Sequence, residues 1–163
     1  MARITTKTGD KGTTGLCNGE RVAKDDMRIE MNGNLDELNA WLGLVKIESK
    51  EAEREGYDAI QQQLMRIMGI IAGFNSDDDV PSLKASVEKM ETYIELHRDC
   101  APFAFVRPGT SRMNALLHIA RTKARTCERR FVTLARTYGY PADIEIYLNR
   151  LSDYLFVKAL AGE

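Results

Sequence analysis

HIARTKARTCERR, His118 to Arg130, divides into two faces when it is wound as a helix. At about 100° per residue, Arg121, Arg125 and Arg129 fall within about 80° of one another, with Glu128 beside them. Leu116, Ala120, Ala124, Cys127, Phe131 and Leu134 gather on a different sector. One face of such a helix packs while the other holds out three guanidiniums. Like charges at i, i+4 weaken a helix slightly, so the row is not there for the helix's own sake. Guanidinium forks match phosphate oxygens and never lose their charge, which suits a polyanion. A solvated basic face is the competing reading, and this stretch alone leaves both open.

Outward from it, apolar residues recur at helical spacing in four more segments. Leu35, Leu38, Leu42 and Val45 mark a first helix, with Asn34 as its cap and Glu37 at the third helical position. Asp36 and Asn39 lie together on another side of it. Ile60, Leu64, Met68 and Ile71 predict a second helix over 57–73, with Gly73 near its end. Val87, Met90 and Ile94 predict a third over 82–97, started by Pro81. The arginine helix runs over 111–136, and Tyr138-Gly139-Tyr140-Pro141 breaks the chain after it. Ile144, Leu148, Leu151 and Leu155 predict a fifth helix over 142–161, with Asn149 and Asp153 one turn apart on a second face. Residues 99–110 hold two prolines and a glycine and read as a loop. Asn75 to Asp79 lacks the glycine and distal glutamate of a calcium loop and reads as a solvated turn. Strand-like alternation is confined to 3–6 and 103–107. The expected fold is all-α, a five-helix bundle with a glycine-rich N-terminal loop.

The 163 residues suit one domain with a real core. The formal net charge of -1 gives no global pull towards nucleic acid, so an anion site must come from local clustering. No apolar run is long enough to span a membrane, and the start of the chain does not read as a signal peptide. Cys17, Cys100 and Cys127 are an odd set without CxxC spacing, which fits a reducing cytoplasm better than a disulfide framework or a zinc site. His97 and His118 stand in no ligand motif and read as structural.

Thr6-Lys7-Thr8-Gly9-Asp10-Lys11-Gly12-Thr13-Thr14-Gly15 packs three glycines, two lysines and four threonines into ten positions. Glycines let a backbone approach a ligand, and the amides and hydroxyls can then donate to oxyanions. The order is not that of a Walker A loop. A frayed polar terminus is the other reading, and composition does not decide between them. Lys24, Asp25 and Asp26 follow as a charged lead-in.

TKTGDKGTTGL at 6–16, RIEMNGNLDELNAWLG at 28–43, FVRPG at 105–109, ALLHIARTKARTCERR at 115–130 and LNRLSDYLF at 148–156 together resemble the PduO-type ATP:cob(I)alamin adenosyltransferases. The pieces occur in the family's order and reach from end to end. The resemblance implies transfer of the 5′-deoxyadenosyl group of ATP to the Co(I) of cobalamin or a related corrinoid, with release of triphosphate. It implies residues 1–25 as a mobile ATP-binding loop on a helical bundle over 26–163. It implies a homotrimer with active sites between subunits, Mg²⁺ with the ATP, and a cytoplasmic enzyme without nucleic-acid or membrane partners. A reductase or an adenosylcobalamin-dependent enzyme is the kind of protein partner implied.

By resemblance, Thr6, Lys7, Thr8, Gly9, Asp10, Lys11, Gly12 and Lys24 close over the triphosphate, and Arg125, Glu128, Arg129 and Asn149 complete the ATP site. Asp36 pairs with Arg121 across the subunit boundary, and Phe105 lies against the lower face of the corrin. No protein ligand for a metal is implied. Cob(I)alamin is itself a strong nucleophile, so no activated serine or cysteine is required. The protein has to hold C5′ near cobalt and stabilise the departing triphosphate. Five positions depart from the family pattern: Asn32 replaces an aromatic, Arg107 an apolar residue, Thr110 a glycine, and Thr126-Cys127 stands where the family has Arg-Ala. A non-catalytic relative that binds ATP or a corrinoid as carrier or regulator is the alternative function.

Overall fold

Five helices, joined by short connections, account for most of the chain; the computed structural model describes residues 7–74, 79–100 and 106–161. They are α1 (Met27–Glu48), α2 (Glu51–Ile71), α3 (Asp79–Leu96), α4 (Arg112–Tyr138) and α5 (Ala142–Leu160). A short 3₁₀ turn, Arg98–Cys100, follows α3. Helix α4 packs against both α1 and α5, α5 also against α3, and α1 against α2. The stripes meet in one core, where Leu35, Leu38, Leu42, Leu64, Ile67, Leu117, Phe131, Leu148 and Leu151 are fully buried. Each such side chain contributes about 1.5–3 kcal/mol relative to remaining in water. The five-helix expectation holds, and no helix of the described residues is long and apolar enough to cross a membrane.

The helix starts differ from the sequence expectation. Helix α1 begins seven residues before Asn34, because Met31 extends the buried stripe back one turn from Leu35. Asp26 caps it, its carboxylate accepting from the Arg28 amide at 2.8 Å. Asn34 lies within the helix, and its side chain donates back to the Glu30 carbonyl at 2.7 Å. Helix α2 begins at Glu51, through a charged stretch with no apolar stripe of its own. Pro81 sits in the first turn of α3, where its missing N–H costs nothing. Asn75 to Asp78, residues 3–6 and residues 103–105 lie outside the described residues, so the readings made there have no structural counterpart.

Before α1 the chain forms a small antiparallel hairpin that the sequence did not announce. Strands β1 (Thr13–Gly15) and β2 (Arg21–Ala23) pair with Thr14 opposite Val22. Three-residue strands are marginal alone, so the hairpin must be docked. Leu16 and Val22 are buried, and the Cys17 amide donates to the Ala72 carbonyl at 2.8 Å, just past the end of α2. Gly73 has φ +84°, and a Cβ there would lie 2.9 Å from Asn18 Cγ, so only glycine fits this junction. Arg28 clamps the other side. It pairs with Glu20 at 2.9 Å and Asp26 at 2.9 Å, and its guanidinium lies 4.7 Å from the Tyr138 ring centroid.

Candidate active site

Helix α4 owes its position to both ends. Ser111 caps it, Oγ accepting from the Asn114 amide at 3.0 Å. Buried Asn114 then does three further things. Its Oδ1 accepts from the Gly109 amide at 2.7 Å and the Thr110 amide at 3.3 Å, and its Nδ2 donates to the Ala159 carbonyl at 2.9 Å. One side chain therefore fixes the 106–110 connection and ties α4 to α5. At the far end Gly139, φ +76°, closes the helix.

Small residues on the packed face bring α1 close. Ala120, Ala124 and Cys127 are fully buried, and the Cys127 thiol donates to the Asn34 carbonyl at 3.3 Å. Lys123 crosses the same seam to Glu37 at 2.6 Å and Asn34 at 2.8 Å. Burial pushes the Cys127 thiol up to about 12, so it is no thiolate nucleophile near neutral pH.

The opposite face carries the arginine row. Arg125 and Arg129 are exposed. Arg125 makes no hydrogen bond or ion pair with a described residue. Arg129 has only a weak bond, Nη2 to Thr126 Oγ1 at 3.3 Å. Between them Glu128 is half-buried, and its Oε1 accepts from Asn149 Nδ2 of α5 at 2.6 Å. That bond places Asn149 beside the row, a juxtaposition across two helices that no local pattern contains.

Arg121 stands apart from the other two. It is half-buried, donates from Nε to His118 Nδ1 at 3.1 Å, and lies over the Phe156 ring with Cζ 5.6 Å from the centroid. Burial, then the Arg125 charge, holds its pKa below the usual guanidinium value. Asp36 is exposed on α1 and makes no ion pair with a described residue of its own chain, Arg121 included.

The second cluster is the N-terminal loop. Its backbone folds on itself: the Asp10 amide donates to Lys7 O at 3.4 Å, and the Gly12 amide to Gly9 O at 3.2 Å. Lys7 at φ 59° and Gly12 at φ 77° supply the left-handed conformations this requires. The Lys24 amide donates to Gly12 O at 2.9 Å, and its side chain runs over Gly9. A Cβ on Gly9 would come within 3.2 Å of both Lys24 Cε and Nζ. Arg21 Nη2 ties Thr8 O at 3.0 Å to Thr13 Oγ1 at 2.6 Å. Lys7, Lys11 and Lys24 are thus cations on an exposed, glycine-containing turn. Thr6 and Phe105, both named from the resemblance, lie outside the described residues.

The expected site residues therefore fall into two groups. Lys7, Thr8, Gly9, Asp10, Lys11, Gly12 and Lys24 share one loop. Arg125, Glu128, Arg129 and Asn149 share the α4–α5 face. The bonds described for Glu128, Arg129 and Asn149 stay within α4 and α5, while those of Gly9, Asp10 and Gly12 stay within the loop and hairpin. Arg28, Asn114, His118 and Phe156 were not picked out from the sequence as supports of the site. Asn114 carried a legible signal, a polar residue five positions after the connecting glycine on an otherwise apolar helix stripe.

Chemically, the α4 face offers permanent cations beside a hydrogen-bonded carboxylate–amide pair, and the loop offers ammoniums with the amides of Gly9 and Lys11, which donate to no described backbone carbonyl. That is anion-binding equipment without a nucleophile. A profile of the cobalamin adenosyltransferase family matches residues 4–161. A corrinoid adenosyltransferase of Bacillus subtilis is 39% identical, the match covering 96% of this chain and 84% of that protein. The PduO corrinoid adenosyltransferase of Salmonella typhimurium is 38% identical over 98% of this chain, which spans 49% of that longer protein. Two structures of variant PduO-type adenosyltransferases from Lactobacillus reuteri are 31% identical and each cover 98% of this chain. One, complexed with ATP, superposes with a TM-score of 0.84 over 93% of its chain; the other, complexed with cobalamin and ATP, with 0.82 over 90%. With the match running from residue 4 to residue 161, this chain belongs to the cobalamin adenosyltransferase family.

Proposed function

We infer that this protein is an ATP:corrinoid adenosyltransferase, an enzyme that moves the 5′-deoxyadenosyl group of ATP onto the cobalt of a reduced corrinoid. In that reaction the cobalt(I) electron pair attacks C5′, the Co–C bond forms, and the C5′–O bond breaks. The electron pair of that bond leaves with triphosphate. The observation that carries the reading is the pair of exposed, carboxylate-free guanidiniums of Arg125 and Arg129 beside the Glu128–Asn149 bond.

Each residue type meets a need of the reaction. Arg125 and Arg129 stabilise charge growing on the leaving polyphosphate, their guanidinium forks matching its oxygens. Asn149 holds Glu128 and so orders the side of the row nearest α5. Lys7, Lys11 and Lys24 with the amides of Gly9 and Lys11 close over the phosphate chain, and Thr6 joins them by resemblance. Phe105 supplies an apolar surface against the lower face of the corrin. The two clusters bond within themselves, so a phosphate chain gripped by both is best completed by the loop and the α4 face of neighbouring copies. A homotrimer supplies that arrangement, with Asp36 of one copy meeting Arg121 of the next.

Among the described residues no three His, Cys, Asp or Glu side chains converge as a metal site. Mg²⁺ fits this chain as a counter-ion on the ATP phosphates, where it would neutralise part of the leaving charge. The two substrates are the small-molecule partners, and a reducing cytoplasm suits a Co(I) reaction.

The test is direct. Cobalamin reduced to Co(I) and mixed with MgATP and the protein should convert over many turnovers to the visible spectrum of the Co–C product, with triphosphate released in equal amount. Saturable MgATP binding without that spectral change would make the protein a carrier and not an enzyme.

A further inference from the structure

His118 is a buried histidine whose single described hydrogen bond goes to a site arginine. It is 3% exposed, and its ring meets Phe156 edge-on at 6.2 Å between centroids. Its Nδ1 accepts from Arg121 Nε at 3.1 Å, and its Nε2 has no partner among the described residues. A histidine buried for packing alone is normally bonded at both nitrogens. Here the one bond made is spent on an arginine that no carboxylate among the described residues of its own chain holds.

A guanidinium can only donate, so Nδ1 must carry its lone pair and the proton must sit on Nε2. The ring is therefore neutral. Burial, and then the Arg121 charge, holds the His118 pKa below its usual value, which agrees with that state. A neutral acceptor does something a carboxylate could not. It fixes the direction of Arg121 without cancelling its charge. Because the bond uses Nε, Nη1 and Nη2 bond to no described residue and stay available as a fork, with the Phe156 ring beside the guanidinium. A free arginine loses rotamer entropy when it binds, and that loss is taken here before any partner arrives.

We propose that His118 is a positioning residue, whose bare Nδ1 aims the free fork of Arg121 at an anionic partner group beyond its own chain. The proposal rests on the adenosyltransferase reading for its activity arm only. His118 also lines a shallow concavity with Pro108, Gly109, Ala115, Ile119 and Thr122, so its ring stands next to the 106–110 connection.

The experiment has two arms. In the first, His118→Leu, His118→Asn and Arg121→Ala are made singly, together with the His118→Leu/Arg121→Ala double variant. His118→Leu should lower the rate of Co–C product formation about tenfold, the scale of one charge-assisted hydrogen bond. His118→Asn, whose Oδ1 can take the place of Nδ1, should stay within about threefold of wild type on that same scale. MgATP affinity should be unchanged by either. In the Arg121→Ala background the Leu substitution should have no further effect, since it acts through a side chain that is gone. Equal losses in both backgrounds, or an Asn variant as poor as Leu, overturn the proposal.

The second arm needs neither activity nor a His118 variant. The ¹⁵N resonances of the His118 ring at neutral pH should show a bare Nδ1 and a protonated Nε2, and the Nδ1 resonance should move in Arg121→Ala. A protonated Nδ1, or a resonance indifferent to Arg121→Ala, overturns the proposal even if the adenosyltransferase assay fails. A wild-type protein without turnover but with the expected resonances sinks the function and leaves His118's role intact.

Discussion

Arg129 is the residue on which the phosphate reading can be tested most cleanly. It is exposed, and its single described side-chain bond, to Thr126, is long, so truncation removes little from the fold. Arg129→Ala should weaken MgATP binding by about tenfold or more, the scale of a lost charge-assisted hydrogen bond. Its melting temperature should stay close to wild type. Calorimetric titration and a thermal melt of the same sample separate the two. A lower melting temperature with unchanged ATP affinity would assign Arg129 to the fold. The arginine row was legible in the sequence because a period of four on a helix is local. The Glu128–Asn149 bond was not, since its partners are 21 positions apart and only the packing of α5 on α4 brings them together. His118 was read as structural for the same reason: its bond to Arg121 lies one turn away, but the Phe156 ring that completes the setting comes from α5.

At the scale of elements, the hairpin is what holds the N-terminal loop, and two substitutable features hold the hairpin. At Gly73, a positive φ coincides with the 2.9 Å approach of Asn18. Gly73→Ala should cost more than about 1 kcal/mol, the usual penalty where φ is positive and space is absent. The loss should appear as faster amide exchange at Leu16 and Val22 and weaker ATP binding, with helix content unchanged by circular dichroism. Acid should loosen the same element. Hydrogen bonds from Arg28 hold the carboxyls of Glu20 and Asp26 below their ordinary values of 4.5 and 3.8. A carboxylate depressed in the folded state contributes its stabilisation above the ordinary value, and that is lost as pH falls through the lowered one. Protection at Val22, taken relative to intrinsic exchange at each pH, should therefore be steady from neutrality to about pH 5 and fall below about pH 4, and Arg28→Met should abolish the acid dependence. Neither strand alternates enough to be seen in three residues, and Arg28 reads as an ordinary helix charge until the fold brings Tyr138 beside it. The start of α1 was missed on related grounds. Gly33 and Asn34 resemble a break, and the buried Met31 outweighs them only because a core waits for it.

For the whole molecule, the helices and their shared core were readable from periodicity, because each stripe needs only its own segment to declare itself. The assembly is a property of surfaces that face away from that core. Asp36 and Arg121 carry opposite charges, and neither has an ion-pair partner among the described residues of its own chain. Glu37, the neighbour of Asp36, is already committed to Lys123 at 2.6 Å. If Asp36 meets Arg121 of an adjoining copy, each defect should be reparable by its mirror. Asp36→Arg places two cations at every junction and should shift the protein from about three copies of the 18.4 kDa chain towards monomer, measured by light scattering at micromolar concentration. Arg121→Asp should do the same with two anions. The double exchange Asp36→Arg with Arg121→Asp should restore the assembled mass. It should recover activity only in part, because an aspartate cannot donate to His118 Nδ1. Recovery of mass without full recovery of turnover would separate the two uses of Arg121, as a charge that joins copies and as a fork held at a set angle. A double variant that stays monomeric would place the junction elsewhere on the helices.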